Sequence, residues 1–157
     1  YMKLESLTVL IIEDGNEYLE NLSRFVPEPD YVQTHNGSEA LAALQKGGID
    51  LIYLDMRFDR IPLTDLLGNH VQATKQQNGD PTRAWRYLQN NQGLFILNYL
   101  STKGHTNTPT IISYDFSREG KRFAFLQQNN PNIGWVADAV TPNEIRQLML
   151  ELCRAEQ

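Results

Sequence analysis

The chain has 157 residues, 41% hydrophobic and 21% charged, which suits one globular domain with enough apolar material for a core. With 14 Lys and Arg against 19 Asp and Glu, the formal net charge is −5, which argues against a domain that grips nucleic acid through clustered cations. A single cysteine, Cys153, excludes an intramolecular disulfide, and no apolar run approaches the roughly 18 residues that span a bilayer.

The run Val9 to Ile12 is too short for the core of a signal peptide, so a cytoplasmic protein is expected. Tyr1 ahead of Met2 reads as a cloning remnant on an excised domain. Thr8 to Ile12 reads as a strand buried on both faces, closed by Glu13, Asp14 and Gly15. Asn16 to Val26 reads as a helix with Tyr18, Leu19, Leu22, Phe25 and Val26 on its apolar stripe, stopped by Pro27 and Pro29. Tyr31 to Thr34 is a second strand. Ser38 is placed to cap a helix through Leu44 that Gly47 and Gly48 end. Asp50 to Leu54 is a third, nearly all-apolar strand with Asp55 at its carboxyl end.

Residues 57–81 show no clear period, Thr82 to Asn91 has helical character, and Gly93 to Thr102 is a clearer helix. Thr110 to Tyr114 is a fourth strand, Ser117 to Gln128 a helix with Phe123 and Leu126 inward, and Ile133 to Ala137 a fifth strand. Thr141, Pro142 and Glu144 open the last helix as cap, first-turn proline and capping-box acid. Ile145, Leu148, Met149 and Leu152 form its stripe. Strands alternating with helices imply an α/β fold with a doubly wound parallel sheet.

Ligands of open parallel sheets sit beyond the carboxyl ends of the strands, at the switch point. Glu13 and Asp14 end the first strand and Asp55 the third, so in the flavodoxin-like order 2-1-3-4-5 they converge. Carboxylates this close oppose their own ionisation, and a hard cation such as Mg²⁺ relieves the repulsion. Such a site suits phosphoryl chemistry, with Asp55 attacking and the other acids holding the metal.

VLIIEDG (Val9 to Gly15), NGSEAL (Asn36 to Leu41), DLIYLDM (Asp50 to Met56), TPTIIS (Thr108 to Ser113) and the stretch Gly134 to Ile145 together make the chain resemble the receiver domain of two-component response regulators. The resemblance implies a five-stranded flavodoxin-like fold and a phosphorelay role, with Asp55 as phosphoacceptor. It implies Mg²⁺ held by Glu13, Asp14, Asp55 and the Arg57 backbone carbonyl. Trp135 matches the aromatic switch position. Implied partners are a histidine kinase or phosphotransfer protein and an output domain or partner protein. A homodimer through the family's fourth helix, fifth strand and fifth helix is also implied, and neither direct nucleic-acid nor membrane contact.

Two positions depart from the family. Tyr114 aligns with the Ser or Thr that binds a phosphoryl oxygen; a one-residue slip would supply Ser113, on the opposite face. Asp138 aligns with the phosphate-pairing Lys, and Ala139 with a proline that usually follows in cis. A charge pair near 4 Å is worth on the order of 4 kcal/mol at an effective dielectric of about 20, so Asp in place of Lys weakens the hold on a phosphoryl group.

The chain is read as one receiver-like domain, 1–157, with an insertion at 57–92 between the third strand and the family's third helix. A loop this long at the carboxyl end of a sheet is expected to be functional or disordered. Arg57, Arg60, Lys75, Arg83 and Arg86 are candidates to replace the missing lysine. His35, His70 and His105 lack metal-ligand spacing and read as surface residues. Trp85 with Tyr87 and Leu88 reads as packing of an extra helix. The alternative is an atypical receiver acting by phosphorylation-independent protein contact. A third class, a Mg²⁺-dependent phosphoryl-transfer enzyme, would need a further catalytic group. The chain is not read as an enzyme.

Overall fold

The computed structural model describes residues 2–155; Tyr1, read above as a cloning remnant, lies outside them. Five strands, β1 (Thr8–Ile12), β2 (Asp30–Thr34), β3 (Leu51–Asp55), β4 (Thr110–Ser113) and β5 (Ile133–Val136), form one parallel sheet in the order β2-β1-β3-β4-β5. This is the flavodoxin-like order that the resemblance implied. The helices are α1 (Glu17–Phe25), α2 (Gly37–Gln45), α3 (His70–Gln76), α4 (Pro81–Asn90), α5 (Gln92–Leu100), α6 (Gly120–Asn129) and α7 (Pro142–Ala155). No described helix is long and apolar enough to cross a membrane.

The central strands are apolar throughout because helices cover both of their faces. Side chains alternate along β1: Leu10 and Ile12 pack with Ala40, Leu44 and Ile96, while Val9 and Ile11 pack with Leu22, Val26, Ile145 and Met149. Full burial of each such side chain is worth about 1.5–3 kcal/mol, which holds α1 and α7 to one face and α2 and α5 to the other.

The 3-10 turn Leu63–Asp65, α3 and α4 lie within the expected insertion. Phe58, Leu66, Ala73, Ala84 and Leu88 are buried in the same layer as α5. The aperiodic stretch therefore contains a helix. Asn69 caps α3 by accepting from the Gln72 N–H at 3.0 Å, but only Ala73 of its seven residues is buried, so no stripe shows in the sequence. Buried Gln92 fastens the segment to α5: its Oε1 accepts from the Leu67 N–H, and its Nε2 donates to the carbonyls of Leu67 and Leu88.

The cap of α2 is Asn36, not Ser38; the Asn36 Oδ1 accepts from the Glu39 N–H at 2.8 Å, and Ser38 already lies inside the helix. Thr141 caps α7 as expected, its Oγ1 accepting from the Glu144 N–H. Phe25, assigned to the α1 stripe, is 49% exposed, because the helix ends there and Val26 takes the buried place.

Candidate functional site

The carboxyl edges of β1 and β3 bring the expected acids to one end of the sheet. The next helix presses directly on them. The Gly93 N–H donates to the Met56 carbonyl at 2.9 Å, and a Cβ at Gly93 would overlap the Asp55 carbonyl oxygen. Only glycine lets α5 start this close to Asp55.

The acids do not assemble as a shared cation site. Glu13 is 3% exposed, and its Oε1 accepts from the Tyr18 N–H at 3.0 Å; burial pushes its carboxyl up to about 7. Asp14, whose side chain is 3% exposed, is taken up by the segment after β3. Its Oδ2 accepts from the N–H groups of Asp59 and Arg60, both at 3.0 Å, and its Oδ1 accepts from the Arg60 guanidinium at 3.1 Å. The same guanidinium forks onto Glu17 at 2.6 and 3.0 Å and holds that carboxyl down to about 2. Arg60 is in turn held well above the usual arginine value by Glu17 and Asp14.

Asp55 opens onto a cleft of about 710 Å³ bordered also by Tyr18, Arg57, Ser113 and Asp138. Burial pushes its carboxyl up to about 6, opposed by hydrogen bonds from the Met56 N–H and the Tyr18 hydroxyl. Its Oδ1 accepts from the Met56 N–H at 2.8 Å and from the Tyr18 hydroxyl at 3.2 Å.

The alignment of Tyr114 with the hydroxyl position is corrected by the strand register. Asp55 pairs with Ser113 across β3 and β4, and the Ser113 Oγ donates to the Tyr18 hydroxyl at 2.9 Å. Partners in a parallel ladder share a face, so a one-residue slip in the alignment chose the wrong side chain. The Tyr114 ring packs edge-on against Phe116, and its hydroxyl donates to Glu119 at 2.5 Å. Tyr18, read from sequence only as part of an apolar stripe, is the unanticipated site residue. Its hydroxyl bridges Asp55 and Ser113, and burial pushes it well above the usual tyrosine value. A tyrosine on the stripe of the helix that follows the acid pair was the available signal.

Asp138 borders the Asp55 cleft, as its alignment with the lysine position implied. Among the described residues every peptide bond is trans, that of Ala139 included. Trp135 lies on β5 in register with Ile112 and edge-on to Phe116, beside a groove along α7 and not beside Asp55. Of the basic candidates, Arg57 borders the cleft and pairs with Asp59 at 3.3 Å, while Arg60 reaches the acid pair. Lys75, Arg83 and Arg86 border neither. His70 stacks on Trp85 at 3.7 Å, which fits the reading of Trp85 as packing.

The residues present do not fit a resident Mg²⁺ in this conformation. Both Asp14 oxygens already accept from N–H groups, Glu13 is buried against the Tyr18 amide, and no group of three or more acids, histidines or cysteines among the described residues is arranged to hold a metal. Of the expected set of Glu13, Asp14, Asp55 and the Arg57 carbonyl, Asp14 faces the Arg60 guanidinium in this conformation.

No protein-family model matches the sequence, and no curated protein matches it. Solved structures do match the fold. The receiver domain of the Francisella response regulator 1452 superposes with a TM-score of 0.62 at 16% identity, covering 96% of this chain and 99% of that one. A response regulator receiver domain protein from Clostridium thermocellum gives 0.63 at 12% identity, covering 96% of each chain. The Vibrio cholerae chemotaxis protein CheY4 gives 0.60 at 16% identity, covering 93% of this chain and 98% of that one. The chain thus has the fold of response-regulator receiver domains over nearly its whole described length, with its own residues filling the acidic end of the sheet.

Proposed function

We propose that this chain is a receiver-fold signalling module that works by protein–protein contact, with Asp55 not serving as a phosphoacceptor. The observation that carries the reading is the Tyr18 hydroxyl, held between the Asp55 Oδ1 at 3.2 Å and the Ser113 Oγ at 2.9 Å. A phosphoryl group on Asp55 would need the Ser113 hydroxyl that Tyr18 engages. It would also need a positive charge, and the cleft offers Asp55, Asp115 and Asp138 against the solvent-directed Arg57. The proposed contact face is made by α6, β5 and α7, where Phe125 is 63% exposed and a groove runs between Trp135 and Leu148.

A second reading, phosphorylation of Asp55 by a histidine kinase with Mg²⁺, is favoured by the register of Ser113 with Asp55. It requires the Tyr18 hydroxyl to swing out and Arg60 to leave Asp14. Incubation with acetyl phosphate and Mg²⁺ followed by intact-mass measurement separates the two. The expected result is no hydroxylamine-labile phosphoryl adduct. An adduct that disappears in Asp55→Asn overturns the first reading.

A further inference from the structure

We infer that Arg60 is the built-in counter-cation of this site, and that by occupying Asp14 it excludes a divalent ion. The supporting geometry is a closed set of contacts. The Asp14 Oδ2 receives two backbone N–H groups from residues 59 and 60, and its Oδ1 receives the guanidinium. The other edge of the guanidinium is forked on Glu17. The backbone makes room for it: a Cβ at Gly15 would overlap the guanidinium. A planar fork satisfied by two carboxylates is the arrangement arginine forms best, and the Glu17 carboxyl is correspondingly held far down.

A divalent ion at Asp14 would have to displace these donors and would sit against a fixed positive charge. Guanidinium and divalent ion are therefore alternative occupants. The contacts that bring in Arg60 also tie the first residues of the insertion to the loop after β1. Loss of the Arg60 side chain thus both frees the Asp14 Oδ1 and loosens residues 57–60. The inference concerns cation occupancy alone and stands whether or not Asp55 accepts a phosphoryl group.

The test is a Mn²⁺ titration of the full chain, read by the electron-paramagnetic signal of free Mn²⁺, with no phosphoryl donor present. Four proteins are compared: the unaltered chain, Arg60→Gln, Arg60→Lys, and Arg60→Gln combined with Asp14→Asn. Arg60→Gln is expected to bind at least ~10-fold more tightly than the unaltered chain, from loss of a like charge at contact distance. Arg60→Lys keeps the charge and is expected to bind as weakly as the unaltered chain. Adding Asp14→Asn should abolish the gain. Hydrogen exchange at the Asp59 and Arg60 amides should speed up in Arg60→Gln. Tight Mn²⁺ binding by the unaltered chain, a gain in Arg60→Lys equal to that in Arg60→Gln, or no gain in an Arg60→Gln protein with native circular dichroism would each overturn the inference.

Discussion

Replacing Asp55 with Asn should stabilise the fold at alkaline pH. The Asp55 carboxyl rises from its ordinary 3.8 to about 6, with burial as the largest cause. At about 1.36 kcal/mol per pH unit, that rise costs the folded state up to ~3 kcal/mol once the group is ionised in both states. The side chain opens onto a wet cleft, which brings the expected figure to ~1–3 kcal/mol. The sign follows from proton uptake. The folded carboxyl holds its proton more tightly than the unfolded one, so the stability from the neutral form is full below about 3.8 and is lost as pH rises through about 6. Asparagine keeps the shape and an acceptor for Met56 and Tyr18 but never ionises. Urea unfolding of both proteins should therefore show the mutant more stable at about pH 8, with the gap closing toward pH 4. Glu13 titrates in a similar range, and comparing two proteins removes its main contribution. Equal stability at about pH 8, or a gap that grows as pH falls, would mean that the carboxylate has a compensating positive partner and would refute the reasoning.

Tyr18→Phe removes the hydroxyl that favours the ionised carboxylate, so the Asp55 carboxyl should titrate above about 6 in a carbon-13 NMR titration. An unchanged or lower value would contradict donation from Tyr18. Gly93→Ala forces a methyl into the Asp55 carbonyl and should cost ~1–3 kcal/mol, read as a lower Tm; an unchanged Tm would show that α5 can back away.

The strands that position the site were legible because β1 and β3 are buried on both faces and stand out as unbroken apolar runs. The acids that end them were legible because a parallel sheet exposes its carboxyl edge. What each acid does was not. Strand pairing carries a period of two, so placing the hydroxyl position at Tyr114 instead of Ser113 exchanged a cleft residue for one packed on Phe116. Arg60 was one of five basic candidates in the segment after Asp55, but chain proximity to Asp55 does not tell which carboxylate a long side chain reaches; it reaches Asp14 and Glu17. Tyr18 counted as apolar in the α1 stripe, and only its three-dimensional neighbours make its hydroxyl part of the site. The helix α3 left no stripe because Ala73 alone is buried.

The most direct test of a site filled by its own Tyr18 and Arg60 is fluorine NMR of the protein with beryllofluoride and Mg²⁺. Beryllofluoride occupies the phosphoryl position on an aspartate without needing a kinase. The expected result is a spectrum with no protein-bound fluorine resonance. A bound resonance that is absent from Asp55→Asn would contradict it.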